Sequence, residues 1–104
     1  MRTITNAFSL NMVKSFPCQV SVWEISLADA ISYSKTAVSA VGHADTASVF
    51  TSVLGTDVPF NRISLSVGSG DTLLVGQYMG QRLPEGCTTL PEGATIKWLL
   101  VNII

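Results

Sequence analysis

Charge, histidine and long apolar runs are all scarce in this chain, and each shortage excludes something. Only 12% of residues are charged, six basic against seven acidic, for a formal net charge of −1. A protein that coats long DNA or RNA is normally basic, because phosphate contacts supply most non-specific affinity. No long nucleic acid is expected as a partner, although a small anion held by a few placed groups is still allowed. No apolar run approaches the ~20 residues of a membrane span, so no membrane partner is expected. The start, MRTITNAFSLNMVK, lacks a long apolar segment and a small-residue cleavage site. It reads as structure rather than a signal peptide, and the expected location is the cytoplasm.

Cys18 and Cys87 are the only cysteines and His43 the only histidine. Without CxxC spacing these three make a poor zinc site. Two reduced thiols, one or both buried, are expected, and a disulfide is the alternative. GxSxG, Walker and GxGxxG signatures are absent. The carboxylates do not cluster as a two-metal nuclease needs. An enzyme built on this chain is expected to work without metal or cofactor.

What remains is a chain of 104 residues, 47% hydrophobic, enough for one domain with a real core. RTITN (2–6) reads as a strand, followed by a loop with room for one helical turn before Pro17. CQVSVWEI (18–25) alternates and is rich in β-branched and aromatic residues, so it reads as a second strand. Ser26 and Asp29 resemble a capping box before a short helix, LADAISYS. TAVSAVG (36–42) is a small-residue strand. Helical spacing then runs from Asp45 through Ala47, Phe50 and Leu54 to Gly55, a helix-ending residue.

RISLSVG (62–68) alternates and reads as a strand with Ile63, Leu65 and Val67 on one face. TLLVGQYM (72–79) and ATIKWLLVNII (94–104) are apolar strands. The last has little alternation, which fits cover on both sides or a subunit interface. Between them, residues 80–93 break all periodicity, and a structureless loop of that length is usually a functional lid. The expected fold is a single compact α/β domain over residues 1–104. It has a mixed central sheet of about five to six strands flanked by short helices.

Three places could carry chemistry. His43 lies between a strand end and a helix start. Ligands of open α/β sheets gather at strand ends, and helix N-termini attract phosphate. Arg82 and Glu85 sit in the long loop, where arginine suits bidentate phosphate contact and glutamate can orient an imidazole. Asn6, Ser9 and Asn11 can cap a helix or bond phosphate and ribose oxygens. Each also has a plain structural reading: a packed histidine, solvated loop charges, local caps.

Taken in order, NAFSLNM, AVGHADT…LG, NRISLSVGSGD and GQRLPEG resemble the viral ring nucleases, the type III anti-CRISPR proteins, over nearly the whole chain. The resemblance implies a homodimer that binds cyclic tetra-adenylate, the messenger of type III CRISPR complexes. It implies cutting to linear di-adenylates with 2′,3′-cyclic phosphate ends, which switches that signalling off. In a virus, the site of action would be the host cytoplasm. His43 would be the general acid, supported by Glu85. Arg62, Arg82, Asn6, Ser9 and Asn11 would contact the ligand, and residues 80–93 would close over it. No metal and no protein nucleophile are needed, because the substrate's own 2′-OH attacks. Glu92, in a second LPEG sequence, competes with Glu85 for the supporting role. The alternatives are a protein that sequesters the same messenger without cutting it, and a small structural or regulatory homodimer.

Overall fold

Ser26 and Gly55 bracket the helical part of the chain. The structure is a computed structural model and describes residues Met1–Ile104. Helix α1 (Leu27–Ser34) starts where the Ser26 hydroxyl accepts the Asp29 backbone N–H at 3.1 Å. Helix α2 (Ala44–Leu54) ends on Gly55, whose φ of 67° is left-handed backbone that glycine adopts without a Cβ clash. Each helix buries one stripe: Ala30 and Tyr33 from α1, and Ala47, Phe50 and Leu54 from α2.

Five strands form one sheet: β1 (Arg2–Thr5), β2 (Val20–Glu24), β3 (Val38–Ser39), β4 (Thr72–Met79) and β5 (Thr95–Ile103). Their order is β2-β5-β4-β1-β3. β1 runs parallel to β3 and β4, while β5 is antiparallel to β4 and β2. The molecule is a single compact α/β domain with a mixed sheet and two helices.

Both faces of the sheet are covered along its central strands, while Val22 and Trp23 of the edge strand β2 are exposed. Leu74 joins Ile4, Phe50 and Trp98 under the helices, while its neighbours Leu73 and Val75 join Val101 and Ile103 on the other face. That second face carries no α-helix. A single 3-10 turn (Leu10–Met12) and the segment around Val67 cover it, with Val13 and Val67 buried there. Cover on two sides is why β4 and β5 read as apolar with little alternation.

Gly76 marks the closest approach of sheet and helix. It pairs across the ladder with Trp98, whose ring meets Phe50 edge-on with centroids 5.1 Å apart. A Cβ at position 76 would fall on Phe50, 2.6 Å from Trp98 Cζ3. Only glycine leaves room for both rings.

The expected strand over 62–68 does not form. The chain makes one bridge from Phe60 to Val41 and another from Val67 to Val13, and otherwise lies on the sheet rather than in it. Val67 donates its N–H to the Met12 carbonyl and accepts that of Lys14. Alternation there records one covered side, and Ile63 is left exposed. The cysteines also differ in part from expectation: Cys18 and Cys87 are free thiols, but both are half-buried rather than buried.

The turn before β4 is held by Asp71. Its carboxylate accepts the Gly68 N–H at 2.8 Å and the N-terminal ammonium at 3.0 Å. These contacts, the backbone bond first, hold the carboxyl below the usual range.

Candidate functional site

The parallel strands β1, β3 and β4 end at the same edge of the sheet. In open α/β sheets this edge is where ligands bind. A pocket of about 740 Å³ lies there. Asn6, one residue beyond β1, lines it, and so do Gly76, Gln77 and Tyr78 from β4. The remaining wall is the start of α2, from His43 to Thr46, together with Arg82, Leu83 and Glu85 of the loop.

His43 reaches the pocket because β3 ends abruptly. Asn61 pins that end: its N–H goes to the Val41 carbonyl at 2.9 Å and its side-chain amide to Ser39 at 2.7 Å. His43 then takes extended backbone (φ −131°, ψ 126°) as the N-cap of α2, and its carbonyl accepts the Ala47 N–H. The imidazole makes no capping hydrogen bond. It is exposed beside backbone N–H groups of the helix start, an arrangement that favours an anion.

The loop between β4 and β5 is tied at its base. Tyr78 donates its hydroxyl to the Gln81 carbonyl at 2.6 Å. Gly80, at φ 152°, lies so close to Ala94 that a Cβ would meet its methyl at 3.0 Å. Beyond that base the two Pro-Glu-Gly triplets fold alike. Cys87 N–H bonds to Pro84 carbonyl and Ala94 N–H to Pro91 carbonyl, each at 3.1 Å. Gly86 and Gly93 have φ of 77° and 81°, as the third residue of a type II turn requires. Glu85 and Glu92 therefore occupy equivalent turn positions, and only Glu85 lines the pocket.

Of the residues picked out from sequence, Asn6, His43, Arg82 and Glu85 come together. Ser9 and Asn11 are exposed around the 3-10 turn and lie outside the lining. Arg62 is also outside it, but its Cγ lies 3.5 Å from where a Cβ on Gly42 would stand, and Gly42 adjoins His43. Asp45, Thr46, Gln77 and Tyr78 also line the pocket, beyond the residues the sequence points to. Gln77 and Tyr78 had a visible signal, since TLLVGQYM turns polar at the end that leaves the core. No group of three or more His, Cys, Asp or Glu side chains stands close enough to hold a metal ion. No helix is long and apolar enough to cross a membrane.

A family model described as STIV B116-like matches residues 2–97. The chain belongs to the STIV B116-like family. Among solved structures it is similar to B116 of Sulfolobus turreted icosahedral virus (STIV), a viral protein. The TM-score is 0.81 at 28% identity, over 97% of each chain. No curated protein matches. The structural match covers 97% of the chain, so nearly the whole fold that carries the pocket is shared.

Proposed function

We propose that this member of the B116-like family is a metal-independent ring nuclease. Its substrate is cyclic tetra-adenylate and its products are linear di-adenylates with 2′,3′-cyclic phosphate ends. The observation that carries the reading is the convergence of His43, Arg82, Glu85 and Asn6 on one pocket at a helix N-terminus. That convergence joins three of the four motifs that resemble the viral ring nucleases. The fourth lies nearby, since the Arg62 side chain borders the space beside Gly42, which adjoins His43.

The chemistry follows from the groups present. The ribose 2′-OH attacks its own phosphorus, so the protein has to hold ribose and phosphate in line. Arg82 and the α2 N-terminus offer donors to phosphate oxygens. The leaving 5′-oxygen needs a proton, and His43 as imidazolium supplies it, a contribution of about 10²–10⁴-fold. Glu85 lines the same pocket, where a carboxylate can orient the imidazole. A pocket of about 740 Å³ suits a ligand smaller than a four-nucleotide ring. In this reading a two-fold homodimer shares the ring, each protomer holding half and presenting one His43.

A second reading is sequestration without cutting. It is favoured by the unpartnered imidazole, which makes no hydrogen bond that would pre-orient it as an acid. Incubation with cyclic tetra-adenylate in EDTA, with mass analysis of the products, separates the two. Cyclic-phosphate di-adenylates support the nuclease, and an intact ring that raises the melting temperature supports sequestration.

A further inference from the structure

One contact fixes the Glu85 turn and has no counterpart at the Glu92 turn. The Gly86 N–H donates to Asp45 Oδ2 at 3.2 Å. Gly86 follows Glu85 directly, and its N–H belongs to the peptide that Glu85 itself forms. In a type II turn this N–H points outward, free for a partner. Asp45 lies two residues after His43, in the first turn of α2, where the helix dipole favours a carboxylate. The same carboxylate is thus held by the helix that carries the candidate acid and bonded to the turn that carries its support. Gly93 of the second turn makes no such bond, and Glu92 does not line the pocket.

From this geometry we propose that Asp45 is a positioning residue. It latches the Glu85–Gly86 peptide to the start of α2, and so sets where Glu85 stands relative to His43. The proposal rests on the ring-nuclease reading for its catalytic consequence, but the latch itself is a property of the ligand-free fold. Apart from the tie at Tyr78, this is the one hydrogen bond from residues 80–93 to another element, so its loss should favour local opening of the loop. Asp45 is also an anion at the phosphate-attracting end of α2. It keeps the loop in reach there without a charge from the loop itself.

Two variants and two readouts test this. Arg82 is the one Lys or Arg between Arg62 and Lys97, so tryptic nicking within the loop has a single site. A protease cuts the locally opened state, and its rate follows the opening equilibrium. Asp45→Ala should speed nicking after Arg82 roughly tenfold, what loss of one charge-assisted hydrogen bond gives. Asp45→Asn keeps an acceptor oxygen and should stay within about threefold of the wild type. On cyclic tetra-adenylate, Asp45→Ala should lower kcat about tenfold with a smaller change in KM, and Asp45→Asn should restore most of it. Unchanged nicking in a folded Asp45→Ala protein overturns the latch. Faster nicking with wild-type kcat overturns the positioning role. A wild-type protein inert toward the ring overturns the nuclease reading and the catalytic role with it. The nicking result still decides the latch in that case.

Discussion

Replacing Gly76 with alanine perturbs the floor of the pocket and the core beneath it together. The added methyl would lie on the Phe50 ring, 2.6 Å from Trp98 Cζ3 and 2.8 Å from Phe50 Cε2. Ordinary contact begins near 3.4 Å, so the rings must move by most of an ångström. Phe50 is 0% exposed and Trp98 4%, and they pack edge to face, so neither ring has free space to enter. Overpacking of this kind costs about 1–3 kcal/mol, and contact with two buried rings places it at the upper end. Gly76 has no positive φ, so alanine regains about 0.4–1 kcal/mol through a less flexible unfolded chain. The net loss is about 2 kcal/mol. At an unfolding entropy of about 0.2 kcal/mol per kelvin for a chain this long, the melting temperature should fall about 9 °C. Calorimetry or circular dichroism reads it directly. Phe50→Leu in the same chain vacates the space, so the double variant should lose less than the two single losses combined. A melting temperature within 2 °C of the wild type would refute the packing argument.

Other expectations follow from single contacts. His43→Ala should lower ring cleavage by about 10²–10⁴-fold and leave binding of cyclic tetra-adenylate nearly intact, measured by product analysis and thermal shift. Glu85→Gln should reduce kcat while Glu92→Gln should not, because equivalent turns place only Glu85 at the pocket. Steady-state kinetics of the two variants decide between them. Asp71 has a folded-state pKa below its unfolded value, so its contribution is present above pH ~4 and lost as pH falls through the lower value. Denaturation from pH 7 to pH 2 should show that acid limb in the wild type and a flatter one in Asp71→Asn. Asn61→Ala removes the 2.7 Å amide bond at the end of β3, and should cost about 1–2 kcal/mol by urea denaturation.

Local signals carried much of the fold. Ser26 and Gly55 announce a helix start and stop through groups that act within four residues, so α1 and α2 were legible to within a residue. The apolar content of β4 and β5 reflects cover on both faces, a property of composition that survives without knowledge of neighbours. The segment 62–68 alternates without forming a strand, because alternation encodes one covered side and says nothing about a partner strand. At the candidate site, His43, Arg82, Glu85 and Asn6 could be named because each combines a reactive or hydrogen-bonding side chain with a strand end or loop. Asp45 was legible only as a first-turn helix residue, since its bond to Gly86 spans 41 positions. Ser9, Asn11 and Arg62 stand outside the lining because a motif orders residues along the chain without fixing where their side chains point.

The central claim concerns proton donation by His43 to a ring cut by its own ribose hydroxyl. Purified wild-type and His43→Ala protein, each incubated with cyclic tetra-adenylate in excess EDTA, can be compared by mass spectrometry of the products. The account predicts linear di-adenylate ending in 2′,3′-cyclic phosphate from the wild type and an intact, still-bound ring from the variant. Products ending in a 3′-hydroxyl, cleavage abolished by EDTA, or turnover retained without the imidazole would contradict it.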